Sequence, residues 1–162
     1  SDHFLLSNRN TEEIERDFVR VLRDLKPDVV HFHHFIGLGL ECLFAVRDTL
    51  PDALIVVTFH EYLSICHHHG QMVKTGAFKL CYRASPSDCN ACFPDISPSR
   101  FLARETFIKG ILNLADHFVS PSRFLAERYQ QWGLSAERFS VPPRIQASNR
   151  MPSMASTAAM IT

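Results

Sequence analysis

Four short apolar runs recur along the chain, each separated from the next by a stretch with helical character. Residues 29–33 (Val-Val-His-Phe-His), 54–59, 117–120 and 139–141 read as strands. A strand can pair in parallel with its successor only after a crossover of a dozen or more residues, usually a helix. Strand, helix, strand, helix therefore predicts an α/β fold: a Rossmann-like open parallel sheet with helices on both faces. Ile14, Phe18, Val21, Leu22 and Leu25 recur on one helical face, with Asn10 and Glu13 spaced as a capping box ahead of them. Lys26-Pro27 ends that helix, because the residue before proline is driven out of the helical region. A second helix is expected over residues 38–49, after the turn at Gly37 and before Pro51-Asp52. A third is expected over 99–115, apolar around most of its circumference and hence well buried. Ser120 or Ser122 caps the next, with Pro121 near its first position and Gly133 at its end. Residues from about 60 to 97 lack a period and read as a Cys/His-rich loop insertion.

The 162 residues suffice for one domain with a core of its own. Seventeen Lys and Arg balance seventeen Asp and Glu. With no basic excess, sequence-independent affinity for a phosphate backbone is weak, which argues against nucleic acid as a partner. No apolar run approaches the roughly 20 residues of a membrane span. Ser1-Asp2-His3 shows neither the basic start nor the apolar core of an export signal, and five cysteines, an odd number, fit a reducing compartment. A cytoplasmic location is therefore expected. Beyond Pro142-Pro143 the composition shifts to Ser, Ala, Met and Thr with no apolar period, so residues 1–142 are assigned to the domain and 143–162 to a flexible tail.

The second strand runs straight into Thr58-Phe59-His60-Glu61-Tyr62, putting ionisable groups at the carboxyl end of the sheet, where open α/β folds bind ligands. His31 and His33 alternate along the first strand and so share a face, while His34 opens the following loop. A His-x-His pair at a strand end also fits a metal-dependent hydrolase, but further ligands on later strands are then required, and only His117 is offered. Behind this segment stand Cys66, Cys81, Cys89 and Cys92. Cys89-x-x-Cys92 has the spacing of a zinc knuckle, and the other two complete the count for a closed, structural tetrahedral site. His67, His68 or His69 could stand in for a cysteine, an iron–sulfur cluster is the lesser metal reading, and free thiols or a disulfide are the alternatives. Cys42 falls on an apolar helix face and reads as core, as do Tyr129 and Trp132, at helical spacing with Leu125. Arg100, Arg104 and Arg123 are candidate phosphate partners, since guanidinium meets phosphate bidentately. Arg123 also sits in a first helical turn, where backbone N–H groups favour anions. Surface ion pairing is the plainer role for each.

Lys26-Pro27-Asp28-Val29-Val30-His31-Phe32-His33, Val57-Thr58-Phe59-His60-Glu61-Tyr62 and Ala115-Asp116-His117-Phe118-Val119-Ser120-Pro121-Ser122-Arg123-Phe124-Leu125, in that order, resemble motifs of the family 4 glycosyltransferases. The cysteine pattern resembles an insertion that a subset of that family carries at this place. The resemblance spans residues 26–142 and implies the amino-terminal, acceptor-side half of a two-domain GT-B enzyme. It implies transfer of a sugar from a nucleotide-sugar donor to a glycan or lipid-linked acceptor, with retention and with no metal needed for the transfer. It places the first strand with its glycine-rich loop, and the donor-binding domain, outside these residues. It gives His60 the catalytic position beside the donor sugar, and it makes Glu61, His33, His34, Gly37, Ser122 and Arg123 substrate-binding candidates. Gly39 could also let backbone approach an acceptor, and His31 is expected to be a packed strand residue. Pro142-Pro143 replaces the family's asparagine-glycine, and Glu61 stands where Asp is common. Peripheral association with the inner face of a membrane goes with a lipid-linked acceptor. Two other functions compete: a non-catalytic zinc-stabilised binding module, and the metal-dependent hydrolase.

Overall fold

The chain was analysed as a computed structural model, which describes residues 2–8, 12–142 and, for the backbone, 158–161. Its elements are α1 (Glu12–Leu25), β1 (Val29–Phe32), α2 (Cys42–Thr49), β2 (Leu54–Thr58), α3 (Pro86–Cys92), α4 (Pro98–Leu112), β3 (His117–Val119), α5 (Arg123–Trp132), β4 (Phe139–Ser140) and β5 (Ala158–Ile161). The strands form one sheet in the order β4-β3-β2-β1-β5, with every pairing parallel. This is the Rossmann-like α/β architecture that the strand–helix alternation predicts.

Local chemistry explains where the helices start. Ser85 precedes Pro86 and its side chain accepts from the Asp88 amide at 3.1 Å; Ser97 precedes Pro98 and accepts from the Arg100 amide at 3.4 Å. Ser122 caps α5 through the Leu125 amide at 3.2 Å, and Gly133, at φ +115°, ends the same helix in the left-handed region that suits glycine. The proposed Asn10 cap of α1 lies outside the described residues. The second helix begins at Cys42, four residues later than its pattern suggests, because Gly37 and Gly39, both at positive φ, extend the preceding turn.

The faces of the sheet differ in burial. Val30, Phe32, Ile55, Val57 and Phe118 are completely buried on one face, whereas Val29, His31, Val56, His117 and Val119, their alternates, are half-buried and Leu54 is exposed. Among the described residues, the second face is therefore much less covered than the first. On the buried side the Phe59 ring stacks on Tyr129 with centroids 3.7 Å apart and lies 5.3 Å from Phe118. Tyr129, Trp132 and Cys42 are core residues, as expected. α4 buries Phe101, Ile108, Ile111 and Leu112, while Leu102 faces out.

Three expectations need correction. Residues 60–97 are not wholly loop: Pro86–Cys92 forms α3 behind its Ser85 cap, and a seven-residue helix is too short to show an apolar period. Residues 143–162 are not wholly a tail: Ala158–Ile161 pairs in parallel with β1, Val29 opposite Ala158 through Phe32 opposite Ile161. A four-residue strand of small and apolar residues carries too little periodicity to be read in isolation. Residues 143–157 and 162 lie outside the described residues. Arg104, offered as a phosphate partner, is instead 3% exposed and wholly engaged with backbone carbonyls. Its Nε donates to Phe4 O at 2.7 Å, Nη1 to Ser64 O at 2.8 Å and Ile65 O at 3.3 Å, and Nη2 to Leu63 O at 2.9 Å. Burial lowers its pKa to about 10, so the cation is retained at neutral pH.

Arg104 thus fastens the start of the insertion and the amino-terminal segment to α4. Replacing it with Met strands several carbonyls at once, and each unsatisfied buried group costs about 1–3 kcal/mol. Arg104→Met should therefore lower the free energy of unfolding in urea by about 3–5 kcal/mol. Arg104→Lys should recover only a minor part, because one ammonium cannot reproduce the fork.

Candidate functional site

The pairing of β1 with β2 determines which side chains meet at the carboxyl edge. His31 lies opposite Val56 and Phe32 opposite Val57, so on the less covered face the side chains of 31 and 33 alternate with those of 56, 58 and 60. His31 Nε2 is 2.7 Å from Thr58 Oγ1, and His33 Nδ1 is 3.0 Å from His60 Nε2. The rings of His31 and His33 are 4.3 Å apart, and those of His34 and His60 stack at 5.1 Å. Four histidines thus form one chain of contacts, His31–His33–His60–His34, that climbs the sheet edge through His60, which is exposed. Glu61 places Oε2 3.9 Å from His34 Nδ1, both side chains partly exposed, and its carbonyl accepts from Tyr129 Oη at 2.9 Å. His33, His34, His60 and Glu61 are brought together as the sequence suggests. His31, read as a packed residue, is packed and is also the inner end of the same ladder.

The loop that leaves β1 is fixed by residues the sequence did not single out. Glu41 Oε1 accepts from Ser7 Oγ at 3.0 Å and from the Asn8 amide at 2.5 Å, and Asn8 Nδ2 donates to the carbonyl of Gly37. A side chain at Gly39 would meet Glu41 at 2.6 Å and the Asn8 amide at 2.8 Å, so glycine is required there by both space and its φ of +88°. Gly37 has the same backbone preference, at φ +100°, with open space beside it. The contribution of Glu41 is not legible locally, since an acidic residue beside a helix start usually faces solvent. Ser122 and Arg123 do not join the cluster: Ser122 is engaged in its cap, Arg123 is exposed, and no hydrogen bond or ring contact links either to the histidines.

The cysteines are gathered, as their spacing suggests. Cys66, Cys81, Cys89 and Cys92, with His67 and His68, line one cavity of about 20 Å³. All four are free thiols and half-buried. Burial, followed by the neighbouring Cys66 and Cys81, pushes the Cys89 thiol up to about 11. Among the described residues no three His, Cys, Asp or Glu side chains already stand in position to hold a metal ion, so the closed tetrahedral arrangement is not preformed. The same holds for His31 and His33, whose facing nitrogens are taken by Thr58 and His60.

Electrostatics make the histidine ladder pH-sensitive. Burial first, and then the neighbouring His33 and His60, hold His31 below the ordinary value of 6.5; burial, then His60 and His34, lower His33 likewise. A histidine with a depressed folded-state pKa stabilises the fold above its unfolded value, and that stabilisation is lost as pH falls through the folded value. The melting temperature should therefore drop on acidification from about pH 7.5 to about pH 5, and the drop should shrink in His31→Gln and His33→Gln. Equal pH dependence in wild type and both variants would place the acid sensitivity elsewhere.

No curated protein and no solved structure matches the chain. The family description does: residues 7–144 match the model of Glycosyltransferase Family 4, a span that includes both histidine-bearing strand ends, the cysteine insertion and all of α5. On that match, over most of its length, the chain belongs to glycosyltransferase family 4.

Proposed function

We propose that this domain forms the acceptor side of a sugar-transfer cleft, with His60 as the residue that touches the reacting sugar. The observation carrying this reading is the hydrogen bond between His33 Nδ1 and His60 Nε2 at the exposed carboxyl edge of the sheet. That bond orients the His60 imidazole and leaves its Nδ1 for a ligand hydroxyl. The His33 Nε2 atom is buried with no hydrogen-bond partner among the described residues, an unmet demand that a bound hydroxyl or water would satisfy. In the proposed reaction a nucleotide-sugar donor loses its anomeric C–O bond to the nucleotide diphosphate as an acceptor hydroxyl forms a new bond to the same carbon. The hydroxyl proton leaves with the diphosphate, and the configuration is retained. Positive charge develops on the sugar ring, and a fixed imidazole accepting from a sugar hydroxyl lowers the cost of that charge. Glu61 and His34 flank His60 and suit acceptor hydroxyls. Gly37, Ser122 and Arg123 are proposed to lie along the acceptor path. The acceptor is taken to be a glycan or a lipid-linked sugar, which would bring the enzyme to a membrane surface from the cytoplasmic side. Among the described residues no helix is long and apolar enough to cross a membrane.

The thiol cluster is proposed as scaffolding for this cleft. Its donor set suits zinc, and four thiolates drawn together from the cavity they share would form a cage bracing the insertion. This also gives the non-catalytic reading its content, since a zinc-braced module would keep the cage without using His60. The hydrolase reading gains nothing from the geometry, because His31 and His33 hydrogen-bond to Thr58 and His60 rather than converging on a common point.

Two measurements separate these readings. In the enzyme carrying this domain, His60→Ala should reduce nucleotide release from a nucleotide-sugar donor by about 10²-fold or more in kcat, with the circular dichroism unchanged. Full activity in that variant would refute the assignment. Elemental analysis of the purified protein should return one zinc per chain, lost in Cys89→Ser and Cys92→Ser and kept in Cys42→Ser. Metal-free wild type, or zinc retained in both cysteine variants, would refute the cage.

A further inference from the structure

The insertion carries an arm on which large apolar side chains and cations stand exposed together. Val73 and Leu80 form an antiparallel bridge, and the Lys74 amide donates to Lys79 O at 2.8 Å, closing a tight turn that includes Gly76 at φ +73°. Past the turn, Phe78 is 83% exposed, and Leu80 and Tyr82, at the next alternate positions, are each 62% exposed. The strip continues onto α5: the Arg128 guanidinium lies 5.5 Å from the Tyr82 ring and 4.8 Å from the ring of Phe124, itself 55% exposed. Exposed apolar side chains that follow one another along one segment mark an interaction site more than singly scattered ones do.

The charge pattern indicates the partner. Between Glu61 and Asp88 the chain contains no acidic residue, but it places Lys74, Lys79 and Arg83 among the exposed apolar positions. Lys74 pairs with Asp88, whereas Lys79 and Arg83 form no ion pair within the described residues. With acidic and basic residues balanced over the whole chain, this excess is local. A protein interface core is typically depleted of charge and surrounded by a polar rim. Here exposed cations alternate in sequence with Phe, Leu and Tyr along one arm. That arrangement suits a bilayer surface: apolar tips enter the acyl boundary, Tyr lies at the headgroups, and Lys and Arg meet anionic phosphates.

We propose that residues 73–83, with Phe124 and Arg128, dock this domain on an anionic lipid surface. The proposal deepens the reading of a lipid-linked acceptor by naming the surface that meets the lipid, but its test needs no acceptor and no transfer. The full chain is sedimented with sucrose-loaded vesicles of phosphatidylcholine alone, or with phosphatidylglycerol as about one third of the lipid, a composition that supplies the surface charge basic residues respond to. The expected result is binding to the anionic vesicles at least about tenfold stronger than to neutral ones, weakening as salt rises. The double variant Phe78→Ser/Leu80→Ser and, separately, Lys79→Glu should each cut anionic binding by about fivefold or more. All these positions are exposed, so thermal melting should be unchanged and should confirm that the variants fold. Equal affinity for both vesicle types, no binding to either, or undiminished binding by folded variants would overturn the proposal.

Discussion

The parallel register of β1 on β2 is the constraint on which the rest of the site depends. Side chains alternate across a sheet, so a slip of one residue would turn His31 and His33 toward the buried face and carry Phe32 into the open. The slip is prevented by the core: Val30, Phe32, Ile55 and Val57 are completely buried, and moving them out of apolar surroundings would cost about 1.5–3 kcal/mol each. The core thereby fixes the chemistry. Because it holds Phe32 beside Val57, His33 follows on the outward side level with Thr58, and its ring reaches on to His60 at 3.0 Å.

Around this edge the less regular parts are held by hydrogen bonds more than by periodic structure. Arg104 joins Phe4 to the first residues of the insertion, across 100 and about 40 residues of chain respectively. Glu41 does the same for Ser7 and Asn8 on the far side of the loop after β1. Tyr129, stacked under Phe59, reaches through to the Glu61 carbonyl. The loops flanking His60 are thus braced from three sides, by α4, by the start of α2 and by α5. Such bracing gives a cleft residue a defined position even though its own segment has no regular structure.

Much of this was readable before the fold was known. β1 to β4, the helices α2, α4 and α5, a serine cap at 120 or 122 with Gly133 closing the same helix, and the gathering of His33, His34, His60 and Glu61 all follow from patterns a few residues long, whereas α3 falls where a loop was expected. What escaped involved partners distant in sequence. Arg104 has the look of a phosphate ligand until its four carbonyl acceptors are seen, and Glu41 looks like a solvated charge until Ser7 and Asn8 arrive beside it. Ala158–Ile161 gains its strand character from the β1 edge it joins, which no local propensity announces.

The sequence by itself determined the α/β alternation, the strand ends that carry histidine, and the cysteine spacing of the insertion, because strand period, helix capping and proline effects act over one to four neighbours. Only the tertiary structure decided that the histidines form one continuous ladder, that Arg104 is a brace, that the thiols share a cavity without converging, and that Phe78, Leu80 and Tyr82 remain outside the core. Those outcomes depend on which surfaces meet when segments up to 100 residues apart pack together, and burial of that kind is a property of the assembled fold.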